Sequence, residues 1–254
     1  MKRLFLLAAA IVTLSIPMAS AEVQAVAKPA PLSAELTKKS PYSMIGQLIF
    51  CSGQSFYQGT GTVVYSRSVL TAAHTVWNPT NGWSTGMQFN RARSGASAAS
   101  SQFATRLFVF GSYRSVAAHY GQNSVRAFAS DLGGMRFNAP PAGGAYAGWR
   151  ADTGLLGAGA PVLCLGYGAE FHSGDELLAV SSSAGFLPVT GAFMESAALT
   201  FESGMSGGPI LSEVAPDDLR IVGIVVAGSD SPPACGIRAL DAAGAAFVAT
   251  YLRY

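Results

Sequence analysis

Short apolar runs broken by turn-forming residues set the rhythm of the chain. Residues 44–50 and 62–65 read as strands, with a turn region at 51–61 between them. After a turn at 66–68 comes a run of small and apolar residues, Val69-Leu70-Thr71-Ala72-Ala73, that ends on His74. Residues 94–101, rich in Ser and Ala, read as an exposed loop, and 106–110 as the next strand. A further apolar run begins directly after Asp131. In the second half, strands fall near 161–167, 177–182, 184–190, 209–213 and 221–227. Only residues 241–252 space Ala, Phe, Val and Leu at helical intervals, which predicts a C-terminal helix.

Composition agrees with that picture. Hydrophobic residues make up 50% of the 254 positions and charged ones 12%, so a sizeable core can form and disorder is disfavoured. The 29 glycines and 13 prolines, set between short apolar runs, point to an all-β chain. Residues 138–148 contain Pro140-Pro141 and several glycines and read as a linker between two halves, 41–137 and 149–254.

The start of the chain has the form of an export signal: Lys2-Arg3, an apolar run over 4–18, then Ala19-Ser20-Ala21 as a small-residue cleavage site. The run is short for a membrane anchor, and no later stretch is long and apolar enough to span a bilayer. Residues 22–40 read as a flexible leader or pro-segment. Loss of 1–21 removes Lys2 and Arg3 and cancels the formal charge of +2, so nothing in the balance suggests nucleic-acid binding. Export permits a disulfide among Cys51, Cys164 and Cys235, but an odd count leaves at least one unpaired within the chain. Their spacing, taken with His74, His119 and His172, fits no metal site.

The candidate chemistry centres on Gly204-Met205-Ser206-Gly207-Gly208-Pro209. A serine among glycines can sit on a tight turn with backbone N–H groups converging where an oxyanion would form. Such a serine needs a base. His74, at the close of a well-packed segment, is the candidate; His119 lies in a polar stretch and reads as a surface residue. Asp131, just before an apolar strand, can accept the imidazole N–H, with Asp152 and Asp175 as competitors. A serine esterase of the α/β-hydrolase type would need histidine last and a strand-to-helix elbow, and the chain has neither.

Leu70-Thr71-Ala72-Ala73-His74, Asp131-Leu132 and the Ser206 turn, in that order, resemble the chymotrypsin-like (trypsin-fold) serine endopeptidases over about residues 41–254. The likeness extends to Gly166-Tyr167-Gly168 and to Gly223-Ile224-Val225-Val226-Ala227-Gly228. It implies two packed six-stranded antiparallel β-barrels with a C-terminal α-helix, and a cleft between the barrels. It also implies a His74, Asp131, Ser206 triad with the N–H groups of Gly204 and Ser206 as oxyanion hole. The expected protein is a monomer acting on protein or peptide substrates without a cofactor; a catalytically silent binding protein on the same fold is the alternative.

The departures are informative. Met205 replaces an aspartate that in many members pairs with a freed N-terminal amine, as in the bacterial glutamyl-endopeptidase branch, which Pro41-Tyr42-Ser43-Met44-Ile45-Gly46 also resembles. Val226 replaces a serine that often contacts the triad aspartate. By alignment on Ser206, Thr200, Phe201, Val226, Ala227 and Gly228 form the primary pocket. Thr200 carries no charge for Lys or Arg, and Val225 stands where a glutamyl endopeptidase has histidine. Cleavage after neutral, small-to-medium apolar residues is therefore expected. If one disulfide forms, Cys164–Cys235 is the favoured pair, since both lie in the second half.

Overall fold

Two antiparallel sheets carry the architecture of the computed structural model, which describes residues 26–170, 172–230 and 233–253. The expected export signal at 1–21 lies outside the described residues. The first sheet has 7 strands, in the order Ser100–Phe103, Thr85–Arg91, Ile45–Ser52, Ser55–Tyr65, Ser68–Thr71, Gly133–Arg136, Arg106–Val109. The second has 8, in the order Ala30–Pro31, Leu178–Ser182, Val162–Gly166, Pro209–Ala215, Asp218–Asp230, Pro233–Ala239, Phe193–Ser196, Leu187–Thr190. The chain is all-β as its pattern predicts, although neither sheet has six strands.

Burial explains why these runs are strands. Val63, Val64, Val69 and Leu70 have no exposed surface, and β-branched residues suit such a packed, pleated layer. One core gathers Leu48, Val63, Phe89, Leu132 and Met135 and runs on into the second half through Leu211, Ile221 and Leu240. A second core lies within the second sheet, around Cys164, Ile210, Val222, Val225 and Ile237.

Several elements differ from the sequence reading. Most of the expected turn at 51–61 is strand, because the hairpin between Ile45–Ser52 and Ser55–Tyr65 stays paired from Ile45 opposite Thr62 to Ser52 opposite Ser55. The chain reverses at Gly53, whose φ of 63° places it in the left-handed region that glycine tolerates. Two helices, Tyr113–Tyr120 and Val125–Phe128, occupy a stretch without a clear helical pattern. They are held by a small cluster of Tyr113, Ala117 and Ala127 against Ala73 and Trp77. The predicted C-terminal helix is present as Ala242–Phe247 followed by a π-helical turn, Val248–Leu252. Asp241 caps it, accepting from the Gly244 N–H at 2.8 Å.

The segment read as a flexible leader is instead docked from residue 26 onward. The Ala27 N–H donates to the Ala198 carbonyl at 2.9 Å, and the Thr200 N–H donates to the Ala27 carbonyl at 3.0 Å. Ala30–Pro31 pairs with Leu178 and Ala179, and the Leu32 N–H donates to the Leu177 carbonyl at 2.7 Å. Main-chain groups at a sheet margin capture an extended segment whatever its side chains, so an Ala- and Pro-rich composition gives no sign of it. At the other end, the terminal helix lies on the first sheet: Leu252 packs on Gly134, and an Arg136 guanidinium N–H donates to the Tyr251 carbonyl at 2.7 Å. Each terminus therefore covers the sheet formed by the opposite half.

All three cysteines are free thiols, and the favoured pair is not bonded. Cys164 and Cys235 share one core, but two strands separate theirs in the sheet order. The Cys235 thiol donates instead to the Ser196 carbonyl. Burial pushes the Cys164 pKa well up and that of Cys235 to about 12, so neither is a ready nucleophile.

Candidate active site

Strands Ser68–Thr71 and Gly133–Arg136 are antiparallel neighbours, with Thr71 opposite Gly133. The chain leaves the first strand towards His74 and enters the second just after Asp131, so both residues emerge at one end of the same strand pair. His74 lies in the short helix Ala73–Val76. Its backbone N–H donates to Asp131 Oδ1 at 2.9 Å, and its Nδ1 lies 2.6 Å from Asp131 Oδ2. Asp131 is fully buried, and its two oxygens grip one residue in two places. An Nδ1–H donated to that carboxylate leaves Nε2 as the acceptor. Burial pulls the His74 pKa down, but the charge and hydrogen bond of Asp131 outweigh it, and the net position is above 6.5.

Sequence reasoning missed Tyr113, which packs fully buried behind this pair with Trp77 set edge-on to its ring. Burial, and then the charge of Asp131, push its phenol pKa up. The competing aspartates lie elsewhere. Asp152 caps the turn at Thr153–Leu156 and pairs with Arg150, and Asp175 pairs with Arg93 at 2.6 Å. His119 sits on the Tyr113–Tyr120 helix beside the Tyr120 ring.

The Ser206 turn is built by its main chain. Gly207 has φ 84°, and a Cβ there would collide with the Thr60 carbonyl and the Thr71 hydroxyl. The Ser206 carbonyl accepts from the Thr60 N–H and the Met205 carbonyl from the Gly208 N–H, each at 2.8 Å. The Met205 N–H donates to the Glu202 carbonyl at 3.0 Å and the Gly207 N–H to the Val225 carbonyl at 2.8 Å. Among the described residues, the N–H groups of Gly204 and Ser206 have no protein acceptor. The Met205 side chain is fully buried in the second core.

His74 and Ser206 line one cleft of about 580 Å³, together with the expected Phe201, Val226, Ala227 and Gly228. Thr200 is not part of that lining; its N–H and hydroxyl turn to the Ala27 carbonyl of the docked N-terminal segment. The lining also includes Asn123 and Phe128 from the first half and three carboxylates, Glu170, Glu195 and Glu202. Glu202 is buried and accepts from His172 Nδ1 at 2.7 Å. No spacing in the sequence links those two, since the loop carrying His172 reaches the cleft only in the folded chain.

Neither protein-family models nor curated protein sequences match the chain. Solved structures do. A Glu endopeptidase in complex with MPD aligns with a TM-score of 0.68 at 20% identity, over 87% of this chain and 94% of that one. Protease Anisep from Arthrobacter nicotinovorans aligns at 0.65 and 18%, over 83% and 95%. An inactivated protease paralogue of the scabies mite aligns at 0.62 and 13%, also over 83% and 95%. At such identities the likeness speaks for architecture, and an inactivated neighbour shows that architecture alone does not carry activity. The chain has the chymotrypsin-like, trypsin-type fold of two packed β-barrels.

Proposed function

We propose that the chain is an exported serine endopeptidase in which His74, Asp131 and Ser206 form the catalytic triad. The observation that carries this reading is the double grip of Asp131 on His74, at 2.9 and 2.6 Å, at the cleft that Ser206 also lines. His74 Nε2 takes the proton of Ser206 Oγ as the oxygen attacks the scissile carbonyl. Asp131 holds the ring in the required tautomer and stabilises the imidazolium. The N–H groups of Gly204 and Ser206 receive the oxyanion, each contributing roughly 3 kcal/mol in comparable sites. His74 then returns the proton to the leaving amine. Water repeats the cycle on the acyl-enzyme and frees Ser206.

For specificity, Phe201, Val225, Val226 and Ala227 offer an apolar wall, which suits neutral, small-to-medium apolar side chains. The Glu202 carboxylate is engaged by His172 and is not an open counter-charge for Lys or Arg. Cleavage of the signal after Ala21 leaves the docked segment from residue 26 onward on the mature chain.

A fluorophosphonate label tests the activity without a known substrate. The purified mature protein should react at Ser206 and stop reacting in Ser206→Ala. A wild-type chain that remains unlabelled would favour the catalytically silent binding protein, a reading kept open by the inactivated paralogue of the same fold.

A further inference from the structure

We infer that Thr60 is the positioning residue that holds the oxyanion loop in its working shape, an inference that rests on the proposed activity. Thr60 lies in the strand Ser55–Tyr65 of the first barrel and has no exposed surface. It reaches the second barrel through three hydrogen bonds. Its N–H donates to the Ser206 carbonyl at 2.8 Å, its hydroxyl donates to the Gly204 carbonyl at 2.8 Å, and its hydroxyl oxygen accepts from the Tyr167 N–H at 2.9 Å. Its own carbonyl accepts from the Thr71 hydroxyl at 2.7 Å, in the strand that leads to His74. One residue, through its side chain and its main chain, thus ties the nucleophile's loop to the strand that precedes its base.

The arrangement bears on the oxyanion site because of where the loop's carbonyls go. Those of Gly204 and Ser206 are taken by Thr60, and that of Met205 by Gly208. The donor-bearing planes are Ser203–Gly204, whose carbonyl accepts from the Ala169 N–H at 2.8 Å, and Met205–Ser206. Thr60 holds the Gly204–Met205 and Ser206–Gly207 peptides that adjoin them, and among the described residues the N–H groups of Gly204 and Ser206 stay uncommitted. Met205 brings no charge that could hold the loop by an ion pair; its side chain is buried in apolar packing. Gly204, at φ 96°, has no side chain to stiffen it. Removing the Thr60 hydroxyl leaves the Gly204 carbonyl and the Tyr167 N–H buried without a partner. A rotation about the Gly204 dihedrals, which join that carbonyl's peptide to the one bearing the Gly204 N–H, is the cheapest relief. That rotation disturbs the donor array while leaving His74, Asp131 and the pocket walls as they are.

The test compares wild type, Thr60→Val, which keeps the shape and loses the hydroxyl, and Thr60→Ser, which keeps the hydroxyl. The readouts are kcat and KM on a peptide ester, the inhibition constant of a peptidyl aldehyde whose adduct places its oxygen in the oxyanion site, and the acid limb of the pH profile. Thr60→Val should lose about 10- to 100-fold in kcat. KM and the acid limb should hold, and aldehyde binding should weaken in parallel. Thr60→Ser should recover most of kcat. A Thr60→Val that keeps wild-type kcat and aldehyde affinity overturns the inference while leaving the triad reading intact. So does a Thr60→Ser that melts like wild type but loses kcat a hundredfold, and this arm decides the matter even where Thr60→Val does not fold. A wild-type protein with neither turnover nor fluorophosphonate labelling fails earlier and removes both readings.

Discussion

The two barrels supply the cleft in different currencies. The first contributes side chains: His74 and Asp131 meet because the register of two strands brings their ends together. The second contributes main chain: around Ser206, nearly every carbonyl and N–H is committed, and the N–H groups of Gly204 and Ser206, left without an acceptor among the described residues, define the candidate oxyanion site. A side-chain pair tolerates sequence drift around it but not at it. A main-chain site depends instead on the neighbours that hold its peptide planes.

Substitutions that strike the chemistry directly should have the largest effect. Ser206→Ala should lower kcat by about 10⁶-fold, as loss of a serine nucleophile does in comparable triads, with melting unchanged. Residual turnover within tenfold of wild type would remove Ser206 from its role. Next comes Asp131→Asn, which should cost about 10⁴-fold in kcat by favouring the wrong tautomer. It carries a pH signature as well. His74 accepts a proton only when neutral, so kcat/KM falls as pH drops through its pKa, which Asp131 raises above 6.5. The wild-type acid limb should therefore lie above 6.5, and the asparagine variant's should move to lower pH. A limb that stays in place would break the pairing on which the first barrel's contribution rests.

The sequence made that pairing legible and much of the second barrel's contribution illegible. Thr71-Ala72-Ala73-His74 and Asp131 announce themselves because His74 closes one apolar run and Asp131 directly precedes another, and strand register does the rest. Thr60 lies in an ordinary run of small residues, and its partners Tyr167, Gly204 and Ser206 are far away in sequence. Thr200 illustrates the same limit. Counting back from Ser206 places it in the pocket, but the docked N-terminal segment draws its polar groups the other way. The helix Tyr113–Tyr120 was hidden because its stability comes from packing Tyr113 and Ala117 on Trp77, not from a long amphipathic repeat.

Two smaller effects sharpen the comparison. In a peptide-library digest, cleavage after neutral apolar residues should dominate, with one methylene changing kcat/KM by about 10- to 200-fold. Dominant cleavage after Lys or Arg would instead assign the pocket to Glu195 or Glu202. Deleting residues 22–32 should lower the melting temperature by about 2–10 °C, since a few main-chain hydrogen bonds contribute roughly 1–3 kcal/mol in a chain of this size. Reactivity of Ser206 towards the fluorophosphonate should stay within about threefold in that variant, a span of well under 1 kcal/mol in barrier height. Unchanged melting would mean that the docked segment contributes no stability.

The crossing of the termini has its own consequence. The stretch before the first barrel seals the margin of the second, and the stretch after the second lies over the first. A cut in the exposed turn at Gly143 would not release two self-sufficient halves; each would carry its partner's missing cover and lack its own. Expressed apart, residues 26–143 and 144–254 should each stay insoluble or unfolded. Expressed together, they should find one another and restore fluorophosphonate labelling at Ser206, a mutual dependence that recovery of either half alone as a folded monomer would disprove.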